Sequence, residues 1–320
     1  MRDLNRREWL LASGVALPAA WLVGCRSSES SVTREPTPAL ASTERAARLV
    51  LPSEPTTDGA GVRLRRALGN RSLSMLDPFL MLDEFNSDRP GDYIAGFPDH
   101  PHRGFETVTY MIHGAMEHRD SLGNHGRLGP GSVQWMTAGR GIIHSEMPKQ
   151  EQGLMWGFQL WVNLPGRLKM TRPRYQDIEP TRVPEVTLGS ATVRVVAGQA
   201  GGATGPVRDI VTQPQMFDVR LASGGSFRRE LPSSHSAFLY VFEGALEVGV
   251  PGRSVARGEL AVLGEGDAVS TRSSGGARYL LLSGTPLREP VARRGPFVMN
   301  TQEELERAFQ DYRSGRLTQG

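Results

Sequence analysis

The sequence of 320 residues predicts an all-β protein in which two similar β-barrels follow one another and a short helix closes the chain. From about residue 48 onward, short runs of Val, Leu, Ile, Tyr and Phe alternate with clusters of Gly, Pro, Asn and Asp. Such a pattern is typical of β-sandwiches and barrels. An internal repeat shows in addition that one β unit is present twice, which favours two barrels in tandem.

Residues 1–24 have the pattern of a bacterial signal peptide. A charged start is followed by an uncharged run, 9–24, that is shorter than the about 20 residues an apolar helix needs to span a bilayer. The pair Arg6 and Arg7 is similar to a twin-arginine export motif, and the sequence LVGC that ends at Cys25 is similar to a lipobox. We therefore expect export, cleavage before Cys25 and acylation of its thiol.

Composition limits what the mature chain can be. Cys25 is the only cysteine, so the chain forms no intramolecular disulfide and has no second thiol for catalysis or metal binding. The net charge of +3 is spread over interspersed acidic and basic residues, which argues against a nucleic-acid surface. Residues 25–47 are rich in Ser, Thr, Glu and Pro, so we expect a flexible linker there.

The internal repeat defines the two barrels. Residues 110–117 (YMIHGAME) match residues 240–247 (YVFEGALE) in residue type at every position, at an offset of 130. In each copy a short apolar run precedes the glycine, which predicts a strand followed by a sharp turn. We assign residues 48–180 to an N-terminal barrel and residues 181–300 to a C-terminal barrel.

The single predicted helix lies in residues 301–320, together with a short tail. Thr301 and Glu304 have the spacing of a capping box, which marks a helix N-terminus. Four apolar residues between 305 and 312 fall on one helical face, and Gly315 supplies a C-terminal stop.

Two pairs in the N-terminal barrel, His100-Pro-His102 and His144-Ser-Glu146, indicate a metal site. Residues i and i+2 of a strand face the same side, so each pair presents two donors inward. The 41 residues between the pairs are enough for one or two hairpins that place the second strand across the barrel from the first. Three imidazoles and one carboxylate would then converge and leave one or two open positions, which suits a reactive first-row divalent metal.

The second copy of the repeat lacks these donors. The repeat offset places Glu230 and Pro232 opposite His100 and His102, and residues 271–274 opposite the second pair. No histidine occurs at these positions. Ligands concentrated in one copy of a duplicated scaffold indicate a functional site rather than a structural requirement of the fold.

Several segments of the sequence resemble the pirin family, a branch of the cupin superfamily. They are residues 97–107 (FPDHPHRGFET), 134–148 (QWMTAGRGIIHSEMP), 159–164 (QLWVNL), 263–267 (LGEGD), 286–290 (PLREP) and 295–300 (GPFVMN). The resemblance covers about residues 60–313 and implies two tandem cupin barrels of the jelly-roll type. It also implies Fe(2+) in the N-terminal cupin, bound by His100, His102, His144 and Glu146, with Ni, Cu, Mn or Zn as replacements.

Glu106 is the alternative carboxylate, because it lies four residues past His102, where we expect it on the same strand face, and its spacing resembles that of the glutamate ligand in ordinary cupins. Pirins take their carboxylate from the His-x-Glu pair instead. We therefore interpret Glu146 as the ligand and as a possible base, and Glu106 as a residue that supports the site or packs its strand. His118, Trp135 and Met136 are candidates for lining the substrate cavity. The alternative is a surface position for His118 and core positions for the other two.

The resemblance also implies an activity, since some pirins cleave quercetin as flavonol 2,3-dioxygenases. We expect a small aromatic or enediol substrate that chelates the metal, with O2 as the second substrate. The sequence does not select a flavonol over another enediol, catechol or phenol. Two alternatives stay open: a non-catalytic metal- or redox-sensing protein that binds an envelope partner, and a structural lipoprotein whose metal only stabilises the barrel.

The export signals predict the location of the protein. We expect a monomer on the periplasmic side of the bacterial envelope, bound to the membrane only through its lipid anchor. Arg26 follows the acylated cysteine in place of the aspartate often linked to inner-membrane retention, which favours the outer membrane. Twin-arginine transport moves folded proteins, so the metal could be loaded in the cytoplasm, before competition from tighter-binding copper and zinc.

Overall fold

A computed structural model of the protein describes residues 42–319. The predicted signal peptide, with Arg6, Arg7 and Cys25, lies outside the described residues, as does most of the predicted linker. The predicted fold class is confirmed, because the described part consists of antiparallel β-strands with one C-terminal α-helix. Within residues 42–319, no helix is both long enough and apolar enough to cross a membrane.

The first twelve strands contain the whole N-terminal barrel. They are β1 (Ala47–Pro52), β2 (Glu54–Asp58), β3 (Val62–Leu68), β4 (Phe79–Ser87), β5 (Phe97–His102), β6 (Phe105–His113), β7 (Met116–Asp120), β8 (His125–Leu128), β9 (Val133–Thr137), β10 (Ile142–Pro148), β11 (Met155–Asn163) and β12 (Arg174–Ile178). Seven of them form one sheet in the order β12-β9-β6-β11-β4-β3-β2, and four form a second sheet in the order β5-β10-β7-β8. The two sheets together make the N-terminal barrel.

The remaining strands form the C-terminal barrel and the end of the chain. They are β13 (Glu185–Leu188), β14 (Ala191–Ala197), β15 (Gln199–Ala200), β16 (Ala203–Thr204), β17 (Gln215–Leu221), β18 (Ser226–Glu230), β19 (Ser236–Val248), β20 (Arg253–Ala256), β21 (Glu259–Leu263), β22 (Ala268–Arg272), β23 (Ala277–Gly284), β24 (Ala292–Arg294) and β25 (Phe297–Met299). A ten-stranded sheet has the order β1-β21-β19-β23-β17-β14-β13, with β18, β20 and β22 joined beside it. The helix α1 (Gln302–Arg313) follows.

Alternation along β6 places its side chains on two different faces. Val108 and Tyr110 belong to the largest hydrophobic core, which takes residues such as Phe238 and Tyr240 from the C-terminal barrel and therefore lies between the barrels. Thr109 points to the opposite face, into the N-terminal barrel, because successive residues of a strand alternate between faces. The sequence of β6 thus serves the inter-barrel core and the barrel interior at once.

Two tyrosines at equivalent positions of the repeat tie the barrels together. The Tyr110 hydroxyl donates to Asp218 at 2.6 Å, and the Tyr240 hydroxyl donates to Glu84, also at 2.6 Å. Each bond joins a strand of one barrel to a strand of the other, and all four side chains are buried. The contacts are reciprocal, which follows from the duplication of the β unit.

The N-terminal edge of the described chain differs from the predicted boundaries. Arg45 lies in the predicted flexible linker, yet it is only 2% exposed and donates to the carbonyl groups of Pro232 and His235. The boundary at residue 48 places β1 in the N-terminal barrel, whereas β1 pairs with β21 of the C-terminal barrel. Hydrogen bonds to an open sheet edge hold this segment, and its composition gives no sign of them.

The C-terminal segment returns to the N-terminal barrel. The predicted capping box is present, since Thr301 accepts from the backbone N–H of Glu304 and the Glu304 side chain accepts in return. Arg103 donates to Asp311 of α1 at 2.8 Å. Gly104, with φ +90°, makes the turn between β5 and β6, and a Cβ there would collide with the Val298 carbonyl oxygen. A glycine at this position therefore lets β25 approach the metal-site strand closely.

Candidate metal centre

The two strands that carry the histidine pairs are direct neighbours. β5 and β10 pair antiparallel in the smaller sheet, with His144 opposite His100 and Ile142 opposite His102. The prediction that the second strand lies across the barrel from the first is therefore wrong. Hydrogen-bond pairing, rather than a crossing of the barrel interior, brings the histidines together.

Three histidines converge on one point. One ring nitrogen each from His100, His102 and His144 lies within 4.8 Å of the others, and this set does not include Glu146. The ring centroid of His144 lies 4.3 Å from that of His100 and 5.0 Å from that of His102. His102 and His144 are buried, whereas His100 is partly exposed. The structure thus brings together three of the four residues that the resemblance implies as ligands.

The second nitrogen of each imidazole already has a partner. The Nδ1 contacts are Pro98 O at 2.8 Å for His100, Pro296 O at 3.3 Å for His102, and His118 Nδ1 at 3.4 Å for His144. Such contacts fix the ring orientation and leave Nε2 to face the site. The Nε2 atom of His144 is buried and has no hydrogen-bond partner among the described residues. A buried nitrogen without a partner in a histidine triad fits a divalent metal ion.

Electrostatics favours neutral imidazoles at this point. Burial lowers the pKa of His102 and His144 well below the usual value, and the neighbouring imidazoles lower it further. A neutral imidazole keeps a lone pair on one nitrogen, which is the form that binds a metal. The same burial makes the site without a metal costly, because the buried Nε2 of His144 has no hydrogen-bond donor among the described residues.

The Glu146 carboxylate faces the same cavity but is bound by other side chains. Thr109 donates to its Oε1 at 2.6 Å, and Gln159 donates to its Oε2 at 3.0 Å. The pairing of β10 with β5 is irregular between His144 and Glu146 because β5 has one extra residue there, whereas β10 pairs regularly with β7, so Glu146 keeps the i, i+2 position relative to His144. Two donors that hold both oxygens keep Glu146 beside the triad, within reach of a substrate in the cavity.

Glu106 lies on the other face of its strand. It precedes Thr109 by three residues on β6, so its side chain points away from the barrel interior, as those of Val108 and Tyr110 do. Its Oε1 accepts from Thr137 at 2.6 Å, and burial raises its pKa. The expectation that Glu106 shares a strand face with His102 is wrong, because the turn at Gly104 separates the two strands.

A cavity of about 550 Å³ opens next to the triad. Its lining consists of Asp58, Gly59, Ala60, Leu64, Arg66, Met81, Asp83, Phe85, Phe97, Pro98, Asp99, His100, His102, Glu146, Gln159, Trp161, Arg293, Gly295 and Pro296. Its volume lies within the range of about 300–1,000 Å³ that is usual for small-molecule sites. The walls combine apolar and aromatic side chains with charged ones, and the lining includes His100, His102 and Glu146.

The three residues predicted to line the cavity do not line it. His118 is fully buried behind His144, and its ring packs 5.0 Å from Tyr175. Trp135 belongs to the inter-barrel core, and Met136 packs in a small cluster with Ala138 and Ile142. The alternative interpretation as core residues holds for both, whereas a surface position for His118 is wrong.

Sequence reasoning missed the residues that shape the cavity. Gln159 and Trp161 alternate with buried core residues on β11, and their i, i+2 spacing was the available signal. Arg293 and Pro296 come from the C-terminal segment, more than 140 residues away from the second histidine pair. No local pattern could connect that segment with the metal site.

Comparisons with known proteins agree with this architecture. The pirin family model matches residues 61–162, and the model of the pirin C-terminal cupin domain matches residues 216–318. A Pseudomonas aeruginosa protein named as a candidate quercetin 2,3-dioxygenase is 52% identical over 269 residues, which cover 82% of this chain and 94% of that protein. Human pirin is 42% identical over 270 residues, which cover 82% of this chain and 91% of that protein.

Solved structures give the same result. A crystal structure of quercetin 2,3-dioxygenase from Acinetobacter baumannii has a TM-score of 0.80 and 33% identity, over 86% of this chain and 99% of that chain. An Escherichia coli pirin in complex with nickel(II) has a TM-score of 0.59 and 18% identity, over 74% and 99%, so its likeness is one of fold alone. With two cupin barrels and a histidine triad that could hold a metal ion in the first of them, the chain belongs to the pirin family.

Proposed function

We propose that the protein is a metal-dependent dioxygenase that oxidises a small chelating phenol or enediol, such as a flavonol, with O2. The observation that carries the proposal is the triad of His100, His102 and His144 beside a cavity of about 550 Å³. The Pseudomonas aeruginosa relative, named as a candidate quercetin 2,3-dioxygenase, supports a quercetin-like substrate. Phe85, Phe97 and Trp161 in the cavity lining suit a flat aromatic ring.

In this proposal, His100, His102 and His144 hold the metal, and Glu146 is its fourth ligand or the base beside it. A divalent metal there would supply Lewis-acid and redox chemistry toward the substrate and O2. We take Fe(2+) as the ion, because imidazole and carboxylate donors with open positions suit iron in oxygen chemistry. Nickel, copper, manganese and zinc use similar donors and are the competing assignments.

The chain's own residues bind the substrate and move its proton. Trp161, Phe85 and Met81 line the cavity and would pack against an aromatic ring and exclude water. The Glu146 carboxylate, oriented by its contacts with Thr109 and Gln159, would accept the proton of a substrate hydroxyl. Deprotonation gives the substrate the anionic oxygen that chelation requires.

The test is oxygen uptake by anaerobically purified protein reconstituted with Fe(2+), across a panel of flavonols and catechols. Wild-type protein should consume O2 with at least one of them, and His144→Ala should not. His125→Ala is the matched control, because His125 is an exposed histidine that pairs with Glu117 outside the cavity. Metal binding without uptake for any compound would overturn the oxygenase and favour the non-catalytic metal- or redox-sensing alternative.

A matched pair of carboxylate variants tests the role of Glu146. Glu146→Gln keeps the shape of the side chain but removes the charge beside the triad, so we expect lower iron occupancy, or slower uptake at full occupancy if the residue is only a base. Glu106→Gln should change neither, since Glu106 lies on the other face of β6 and burial already raises its pKa toward the neutral form. Elemental analysis in which Glu106→Gln loses more metal than Glu146→Gln would reverse this assignment.

We also propose that the protein is an exported lipoprotein, anchored through Cys25 on the periplasmic side of the envelope, with the outer membrane favoured, and active as a monomer. The support is the sequence of residues 1–26 alone. Replacing Arg6 and Arg7 by Lys should leave the precursor in the cytoplasm, and Cys25→Ser should release the protein from membranes. Unimpaired export in a strain without the twin-arginine pathway would contradict the assignment of the export route.

A further inference from the structure

We propose that His118 and Asp120 are positioning residues that hold His144 in the tautomer able to bind metal. The inference deepens the proposed function, on whose metal site it rests. It assigns a role to a buried histidine that contacts neither the cavity nor the convergence point of the triad. His118 would act through His144, without touching the metal or substrate.

The geometry is a chain of three side chains that runs away from the site. His144 Nδ1 lies 3.4 Å from His118 Nδ1, and His118 Nε2 lies 3.3 Å from Asp120 Oδ2. His118 and Asp120 have no exposed side-chain surface. Both belong to β7, which pairs with β10 so that Asp120 is opposite His144 and His118 is opposite Glu146. The backbone ladder therefore fixes the position of the whole chain.

The far end of the chain is anchored by a small turn. Asp120 Oδ1 accepts from the backbone N–H groups of Leu122 and Asn124, and Oδ2 accepts from the Asn124 side-chain amide. In all three contacts Asp120 is the acceptor, so both of its oxygens are held in place. A carboxylate acts here as a rigid acceptor that faces His118.

The direction of the hydrogen bonds follows from these roles. Because the Asp120 carboxylate accepts, His118 Nε2 must carry the hydrogen that it donates. A neutral imidazole has one donor and one acceptor, so His118 Nδ1 accepts from Nδ1–H of His144. His144 then has its lone pair on Nε2, the buried nitrogen for which the described part of the chain offers no hydrogen-bond partner. The chain thus selects the metal-binding tautomer before any metal arrives.

The duplicated barrel provides an internal comparison. At the repeat offset of 130, valines 248 and 250 occupy the places of His118 and Asp120. Val248 is buried in the apolar core of the C-terminal barrel, and Val250 is exposed. The barrel without a histidine triad therefore has no polar chain at this point. A purely structural need for His118 and Asp120 in the fold would predict polar residues in both copies.

A competing interpretation gives His118 a packing role only, through its ring contact with Tyr175 at 5.0 Å. Three variants separate the two. His118→Phe keeps a ring but removes both nitrogens, and His118→Asn provides an amide oxygen that can still accept the Nδ1 hydrogen of His144. Tyr175→Phe changes the neighbour of His118 and removes the hydroxyl that accepts from Gln134, while leaving the chain intact.

The first measurement is the affinity for Zn(2+) alone, by competition with a chromophoric chelator, which requires no turnover. We expect His118→Phe to weaken binding by about 10- to 100-fold, the usual effect of losing a partner of a ligand histidine. His118→Asn should recover most of the loss, and Tyr175→Phe should bind as wild type does. If His118→Phe binds as tightly as wild type, or if the Asn variant is no better than the Phe variant, the positioning role is wrong.

The second measurement is the tautomer of His144 in metal-free protein, read from ¹⁵N chemical shifts of the ring nitrogens. We expect Nδ1–H in wild type and in His118→Asn, and a shift of population toward Nε2–H in His118→Phe. An Nε2–H tautomer in wild type would overturn the inference. Since this readout uses neither metal nor substrate, the positioning role can fail while the oxygenase stands, and the oxygenase can fail while the positioning role stands.

Discussion

The two barrels are the same β unit with different interiors. β18 pairs with β22 in the C-terminal barrel as β5 pairs with β10 in the N-terminal barrel. The buried side chains on β18 and β22 are Phe227, Ala268, Val269 and Thr271, and Thr271 bonds to the Tyr279 hydroxyl at 2.8 Å. The equivalent strands of the N-terminal barrel present imidazoles and a carboxylate instead. The comparison shows that strand pairing is common to both copies and that a few inward side chains separate a site from a packed core.

The different interiors of the two barrels should contribute differently to their stability. Apolar side chains inside the C-terminal barrel stabilise it by burial alone. Three converging imidazoles and a carboxylate in the N-terminal barrel stabilise it much less, unless a metal binds them. The N-terminal barrel is therefore the half whose stability should respond to metal. Three measurements test this contrast between the two barrels.

The largest expected effect is on metal content. His144→Ala removes the buried Nε2 that has no hydrogen-bond partner within residues 42–319, so bound metal should fall from one ion per chain to nearly none. Thr271→Val, a change at an interior position of the matching strand, should leave the content unchanged. Elemental analysis of both purified variants measures this. Retention of a full equivalent by His144→Ala would place the metal elsewhere and remove the functional contrast between the barrels.

Metal binding should also stabilise the halves unequally. At a free metal concentration 100 times Kd, binding to the folded state adds about 2.7 kcal/mol to the free energy of unfolding. Local protection should appear first in β5, β7 and β10, because their side chains hold or support the site. Hydrogen exchange with and without Zn(2+) measures protection strand by strand. Equal gains in β18 and β22 would mean that the barrels open together rather than separately.

The sequence was sufficient for the features that depend on local spacing. His100, His102 and His144 were predictable because i, i+2 residues share a strand face and the second copy of the repeat has no histidine at the matching positions. The capping box at Thr301 was predictable for the same reason, since its two residues are three positions apart. The two barrels followed from the repeat. Each of these patterns lies within one strand, one helix turn or one pair of aligned segments.

The remaining features depend on which strands become neighbours. The role of His118 was not predictable, because it arises from the pairing of β7 with β10. Glu106 was placed on the wrong face because a turn at Gly104, not a continuous strand, separates it from the histidine pair. Pro296 contacts His102 only because the C-terminal segment crosses to the N-terminal barrel. Long-range packing decides such contacts, and a single sequence carries no direct record of it.

The smallest effects concern the reciprocal tyrosine contacts between the barrels, which look equivalent but should differ in strength. Tyr110→Phe leaves Asp218 paired with Arg278 through bonds of 2.9 and 2.6 Å, so the carboxylate stays compensated. We expect a loss of about 1 kcal/mol in the free energy of unfolding. Tyr240→Phe leaves Glu84 with three donors among the described residues, all at Oε1: the indole N–H of Trp156 at 2.9 Å, the Asn86 amide at 3.4 Å and Arg257 at 3.6 Å.

The Tyr240→Phe loss should therefore reach about 2 kcal/mol, because a buried carboxylate that loses a donor costs more than one that keeps a bidentate arginine. Denaturant unfolding of both single variants and of the double variant measures the difference. The two hydroxyls share no hydrogen-bond acceptor, and the Phe substitutions keep both rings against Phe158, so their effects should add. Equal losses would show that Arg278 does not compensate Asp218, and a double variant that unfolds in two steps would show that these two hydroxyls alone make the barrels one cooperative unit.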